Sequence, residues 1–252
     1  DLHQADWSLV PRHDLLLASP ACQGHSRARG KERPHHDASR STAWAVVSCA
    51  EYHRPDVVLV ENVAEFADWQ LYPAWRAAMG ALGYAVAEYV VDAADIGVPQ
   101  HRRRLFLACT RSTVPIELAL PRLEHASAAT VVDFDAGTWA PIDKPGRSAK
   151  TLARVETGRR QHGDRFLTAY YGTARGGRSL ARPLGTLTTR ARWAVIDGDR
   201  MRMVSVNEAR AAMGFPPTYV LPPTQRLGHH MLGNAVCPPV AAALVTAIRE
   251  AA

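Results

Sequence analysis

Two short apolar runs constrain the fold more than anything else in this chain. Asp14-Leu15-Leu16-Leu17-Ala18 is closed by Ser19-Pro20, and Asp56-Val57-Val58-Leu59-Val60 follows Pro55 and ends in Glu61-Asn62. Continuous apolar runs of this length, bounded by turn formers, read as buried strands. Between them Ser39 to His53 places Ala43, Val46, Val47 and Ala50 at helical spacing, with Ser39 or Ser41 able to cap. Strand, helix, strand is a βαβ unit, which requires parallel neighbours and a right-handed crossover. The expected class is therefore α/β.

In an open α/β sheet, ligands meet the carboxyl ends of the strands. Cys22 follows the first strand directly, in the polar loop Gln23-Gly24-His25-Ser26, and Glu61 ends the second. Taken alone, a free cysteine is most often a small buried hydrophobe. A carboxylate directly after four apolar residues is costly unless it is paired or used. Arg27 to Arg40 is polar and reads as a surface loop. His35 and His36 are adjacent and do not converge on one ion, so no metal site is expected there.

Leu71 to Leu82 is an amphipathic helix ended by Gly83. Tyr84–Val91 and Arg104–Cys109 read as strands too close for a helical crossover, which makes them an antiparallel hairpin. The return strand brings Gln100, Arg102 and Arg104 towards the edge that carries Cys22 and Glu61. Alternation sets Arg102 and Arg104 on one side and Arg103 on the other.

From about Arg111 the character changes. Pro, Gly, Ser and Thr rise, helical periodicity fades, and short strands and turns are expected at Phe166–Gly172 and Leu184–Thr189. Composition matters here. Between Arg147 and Arg192 stand eleven basic residues and two acids, Glu156 and Asp164, within a chain of net charge +6. That is an electrostatic footprint for a polyanion. A helix over Val206–Met213 stops at Gly214 and Pro216. A last helix, Val236–Ala251, opens with Pro238-Pro239. Gly233-Asn234 before it reads as a turn able to aim backbone N–H groups at an anion. The expected organisation is a catalytic domain over 1–112, a smaller lobe over 113–181, and a return segment over 182–252 that completes the first domain.

The four cysteines are widely spaced and form no CxxC, which points away from a zinc site or disulfide frame. A reduced, intracellular (cytoplasmic) protein fits this usage. No apolar run is expected to reach membrane-spanning length, and no secretory signal is read.

Five separated motifs now agree in order. Pro20-Ala21-Cys22-Gln23-Gly24-His25-Ser26 resembles the P-P-C-Q-G-F-S loop of the DNA (cytosine-5)-methyltransferase family. Glu61-Asn62-Val63 matches its E-N-V, and Gln100 to Arg104 its Q-x-R-x-R. Arg182-Pro183-Leu184 through Thr189 resembles R-P-x-x-T-x-T, and Gly233-Asn234-Ala235-Val236 the closing G-N-[SA]-V. Asp37 to Arg40 is similar to the D-x-x-R that follows the family's catalytic loop. Ala21 departs from the family's second proline.

The resemblance implies a Rossmann-like S-adenosylmethionine-dependent methyltransferase sheet with a β-rich target-recognition lobe, acting on double-stranded DNA in the manner of restriction–modification enzymes. It implies Cys22 as the nucleophile at cytosine C6. Glu61 would serve as proton donor at N3, with a carboxyl pKa raised by burial, and Arg104 as partner of O2 and of Glu61. Gln23, Ser26, Arg102 and Arg182 are expected against DNA, with Arg102 on a phosphate or the catalytic loop. Asn234 and Ala235 are expected at the methyl donor. The family opens with a strand and an F-x-G-x-G loop, followed by an acidic residue for the donor's ribose. Asp1 stands beyond these, and no other glycine-rich strand-to-helix turn replaces them. A truncated product, a complementing N-terminal polypeptide and a degenerate gene each account for that. The alternative function is a catalytically incomplete DNA-binding fragment or subunit. An RNA-directed transferase is disfavoured by the duplex-reading lobe. A thiol hydrolase pairing Cys22 with His25 lacks an orienting partner.

Overall fold

A computed structural model describes residues 4–21, 35–170 and 174–251, with the side chains of 35–40 left aside. It divides into two compact units. The first comprises Asp1–Val91, Arg103–Ala119 and Thr246–Ala252, and the second Asp92–Arg102 and Leu120–Val245.

The first unit holds strand β1 (Leu15–Ala18), helix α1 (His35–His53), β2 (Val57–Asn62), α2 (Tyr72–Ala81), β3 (Ala85–Asp92) and β4 (Arg103–Thr110). The sheet order is β1-β2-β4-β3. Strands β1 and β2 are parallel, Leu15 opposite Val57 through Ala18 opposite Val60. Strand β4 returns antiparallel to β2, with Phe106 opposite Glu61 and Leu105 opposite Asn62. The α/β reading and the parallel pair therefore hold. Val58, Val60, Leu105, Leu107 and Cys109 pack against Ala43, Val46 and Ala50 of α1 and Trp75 and Met79 of α2. The Trp75 indole N–H donates to the Ala43 carbonyl at 2.9 Å, so the two helices are tied as well as packed. Helix α2 ends where Gly83 takes φ +88°, a conformation other residues adopt only at a cost.

Two expectations are corrected in this unit. Among the described residues strand β1 pairs with β2 alone and is half-buried rather than buried, Leu17 being 57% exposed. An apolar run cannot reveal how many neighbours its strand will have. Helix α1 starts at His35 instead of Ser39, so Ser39 and Ser41 lie inside it. His35 to Arg40 contains no glycine or proline, and a helix docked through Ala43, Val46 and Ala50 extends backwards at little cost.

The second unit is built on β5 (Ala140–Pro141), α3 (Ala149–His162), β6 (Arg165–Ala169), β7 (Gly177–Arg178), β8 (Trp193–Asp197) and β9 (Arg200–Met203), followed by α4 (Val206–Ala212), α5 (Gln225–Asn234) and α6 (Pro238–Ala251). Its sheet runs β5-β9-β8-β6-β7, and each of its strand pairs is antiparallel. The β8–β9 hairpin turns on Gly198-Asp199, with Asp197 opposite Arg200 and Gly198 at φ +56°. An Asp-Gly pair between β-rich runs is a hairpin signal in the sequence. Helix α3 lies on the sheet, and a Cβ at Gly158 would stand 2.2 Å from the Phe166 ring. Only glycine lets helix and ring approach so closely.

Helix α3 falls where helical periodicity was expected to fade. Its buried positions are Thr151, Val155 and Gly158, which make no apolar stripe. Its ends were legible all the same, Ser148 as N-cap and Gly163 beyond the C-terminus. One membrane expectation also changes. Gln225–Ala251 holds a window of mean hydropathy 1.7, long and apolar enough to cross a bilayer by composition alone. It consists of two helices, α5 and α6, with Ala235–Cys237 between them.

Candidate active site

In the first unit the carboxyl ends of β1 and β2 are tied together by side chains. Asn62, the last residue of β2, is buried, and its Nδ2 donates to the Pro20 carbonyl at 3.1 Å. Its Oδ1 accepts from the Val63 N–H at 2.9 Å. The Ala21 N–H donates to Thr42 Oγ1 of α1 at 2.9 Å. The backbone entering the Cys22 loop is thus held from two sides, by the strand beside it and by the helix after it. Cys22, Gln23 and Ser26 themselves lie outside the described residues.

Glu61 stands one residue before Asn62 on β2, and Phe106 of β4 is directly opposite. Arg104 is two residues before Phe106, on the same face and diagonal to Glu61. Arg104 Nε lies 3.2 Å from Glu61 Oε1, the two side chains being 16% and 12% exposed. The Arg104 NH1 also donates to the Arg103 carbonyl at 2.8 Å, which fixes the planar fork. The register of the antiparallel return therefore sets a mostly buried carboxylate–guanidinium pair at the end of β2. The other described cysteines do not compete as nucleophiles. Cys49, Cys109 and Cys237 are buried, and burial raises the Cys49 thiol and pushes that of Cys109 up to about 12.

The rest of the Q-x-R-x-R motif does different work in the second unit. Gln100 is fully buried. Its Nε2 donates to the Ala212 carbonyl at 3.2 Å, and its Oε1 accepts from the Leu187 N–H at 2.8 Å. Arg102 is 3% exposed and precedes β4 rather than alternating within it. Its guanidinium donates to the carbonyls of Leu187 at 3.2 Å, Gly233 at 2.9 Å and Ala235 at 2.8 Å. Among the described residues these three backbone oxygens hold the Arg102 guanidinium in place.

The turn expected at the closing motif is corrected. Gly233 and Asn234 finish helix α5 instead of forming a turn that aims N–H groups forward. A helix C-terminus presents carbonyls, and those of Gly233 and Ala235 meet Arg102. A Cβ at Gly233 would lie 2.4 Å from the Thr188 and Thr189 backbone, so the α5 end and the Arg182–Thr189 segment require glycine where they touch. The Asn234 side chain is exposed, and so is Arg182. The unit also holds cavities of about 680 and 560 Å³, and neither is lined by Asn234 or Ala235.

A second buried pair in this unit escaped the sequence reading. Arg202 donates to Glu208 at 2.8 and 2.6 Å, both groups being almost fully buried. Burial pushes the Glu208 carboxyl up, but its bonds from Arg202 and from the N–H groups of Ser205 and Asp133 outweigh that and hold it below the usual range. The signal was present as Ser205-Val206-Asn207-Glu208, a capping box at the start of α4.

Comparison with known proteins gives a family and a fold. A family profile described as C-5 cytosine-specific DNA methylase matches residues 1–134 and 144–250. The chain is similar to the Type II methyltransferase M.MspI of Moraxella sp, 26% identical over 256 residues, with 99% of this chain and 58% of that protein covered. It is also similar to the Type II methyltransferase M.HhaI of Haemophilus parahaemolyticus, 25% identical over 261 residues that cover 94% of this chain and 76% of the relative. The chain therefore spans little more than half of the first relative's length. Among solved structures it resembles the methyltransferase EhMeth of Entamoeba histolytica, with TM-score 0.66, 15% identity, and 99% and 82% of the two chains covered. A variant of DNMT2 from Spodoptera frugiperda gives TM-score 0.68 at 15% identity over 99% and 84%. At that identity the likeness is one of fold.

Proposed function

The chain belongs to the C-5 cytosine-specific DNA methylase family, and on that premise we propose that it methylates C5 of cytosine in duplex DNA through a covalent adduct on Cys22. The observation that supports this most is the buried Glu61–Arg104 pair at the end of β2, one residue from the Asn62 tether that holds the backbone entering the Cys22 loop.

The residues divide the chemistry as follows. A cytosine inside a duplex is out of reach and must be extruded. The Cys22 thiolate adds to C6, its electron pair forming the S–C bond while the C5=C6 π pair is displaced into the ring. Glu61 supplies a proton at N3 as charge develops there, and Arg104 orients Glu61 and stabilises charge at O2. C5 is then nucleophilic towards an activated methyl group. Loss of the C5 proton, return of the N3 proton to Glu61 and departure of the Cys22 thiolate restore the aromatic ring. S-adenosylmethionine, the donor implied by the family, supplies a sulfonium methyl when bound. The chain's own described residues bear on the cytosine half of the reaction. Cys22 is favoured as nucleophile because the other three cysteines are buried. We assign target reading to the lobe over 113–181, with the exposed Arg182 available to DNA beyond it.

The test is duplex DNA carrying 5-fluorocytosine, incubated with the protein and labelled S-adenosylmethionine. The fluorine blocks the final elimination. A denaturation-resistant protein–DNA adduct that disappears in Cys22→Ser is expected. No adduct from a folded protein that binds the duplex would overturn the proposal.

A further inference from the structure

The basic cluster of the second unit separates into two groups at opposite ends of its sheet. At one end β6 begins and β8 turns into β9. There Arg165 meets Asp197 at 2.7 Å, Arg200 meets the same carboxylate at 2.6 Å, and Arg159 meets Asp199 at 2.9 Å. Arg165 and Arg200 also lie over the Phe134 and Trp139 rings at 4.5 and 4.6 Å. Positive charge at this end is matched by carboxylates.

The other end is different. Strand β6 finishes at Ala169 opposite Trp193, the first residue of β8, and the chain from Ala174 leads into β7. The segments that meet there, 169–170, 174–177 and 190–193, contain no acidic residue, and none occurs in sequence between Asp164 and Asp197. Arg154 of α3 donates to the Ala174 carbonyl at 3.0 Å and lies over the Tyr170 ring at 5.3 Å. Arg192 donates to the Tyr170 carbonyl at 3.4 Å. A carbonyl orients a guanidinium without neutralising it. Arg175 and Arg190 are exposed, and neither side chain has a hydrogen-bond or ion-pair partner among the described residues.

We propose that this end of the sheet, through Arg154, Arg175, Arg190 and Arg192, grips the phosphate backbone of duplex DNA, and that the paired end does not touch it. The inference rests on DNA being the substrate. Its physical ground is counterion release: a cation already paired with a carboxylate displaces few counterions when it meets a phosphate, whereas an unmatched one displaces about one. The two fastened arginines supply orientation and the two unfastened ones supply reach.

Affinity of the full chain for a fluorescent duplex, measured by anisotropy across a salt series, tests this. Each lost phosphate contact lowers the slope of log K against log salt by about 0.9. Arg175→Gln/Arg190→Gln is therefore expected to lose about 2 units of slope, and Arg175→Lys/Arg190→Lys to retain it. Arg160→Gln/Arg165→Gln removes two exposed arginines that face carboxylates, Arg160 at 3.8 Å from Glu156 and Arg165 at 2.7 Å from Asp197, and is expected to leave the slope within error. An unchanged slope in the first variant, an equal loss in the control, or no binding by the wild type would overturn the proposal. Tighter binding of single-stranded RNA than of duplex, with the same arginine dependence, would overturn the duplex assignment. If the 5-fluorocytosine adduct fails while the arginine-dependent slope persists, the methylation reading falls and the phosphate-gripping face stands.

Discussion

Arg102 offers the sharpest test of how the shared motifs work in this protein. As a phosphate contact it would matter through its charge; as a buried fork it matters through its shape. The structure favours the fork, with three carbonyl acceptors at 2.8–3.2 Å and 3% exposure. A hydrogen bond to a charged group is worth about 1.5–3 kcal/mol net. Three in one group do not add, and removing the guanidinium also relieves its own desolvation. Arg102→Met is therefore expected to lower unfolding free energy by about 3 kcal/mol, well short of the simple sum. Arg102→Lys keeps the charge, but an ammonium cannot reproduce a planar fork aimed at three oxygens, so a loss of about 2 kcal/mol is expected there too. Urea unfolding followed by tryptophan fluorescence gives both values, and the salt dependence of duplex binding gives the second axis. The reasoning is refuted if Arg102→Lys is as stable as wild type while Arg102→Met loses about one unit of salt slope. That pattern is the signature of a phosphate contact.

Two further outcomes follow from the same geometry. Glu208→Gln leaves Arg202 buried without a counter-charge and should cost about 3–5 kcal/mol, most of it recovered in Arg202→Met/Glu208→Leu. Because the folded pKa of Glu208 is depressed, the stability it contributes is present above its ordinary value of about 4.3 and lost as pH falls through the lower folded value. Urea midpoints measured down that acid range should converge between wild type and Glu208→Gln, and parallel curves would contradict the linkage. Asn62→Ala removes the bond to the Pro20 carbonyl and should destabilise by about 1–3 kcal/mol. On the proposed mechanism it should also slow adduct formation at saturating DNA more than it weakens DNA binding. Unchanged single-turnover rates would sever Asn62 from the loop.

Much of the first unit was legible because its signals are local. The runs at Asp14–Ala18 and Asp56–Val60, the helix over Ala43–Ala50 and Gly83 after α2 are each decided within a few residues by burial and backbone preference. The hairpin length brought Arg104 to the sheet edge that carries Glu61, and the family resemblance implied that the two would pair. What the sequence could not disclose is which side chains are enclosed. Gln100, Arg102 and Arg104 stand two apart in one motif, yet two are buried fasteners of the second unit and one faces a carboxylate in the first. Helix α3 was hidden because it buries one face through Thr151 and Val155 rather than an apolar stripe.

The sequence by itself therefore determined the fold class and the order of the motifs, and it named the candidate reactive groups. Those depend on residue type and short spacing, which a linear chain records in full. The tertiary structure alone decided which arginines keep an unmatched charge, which of them hold backbone carbonyls, and that Gly233-Asn234 closes a helix. Burial and charge pairing are properties of contacts between segments far apart in the chain, and no local pattern carries them.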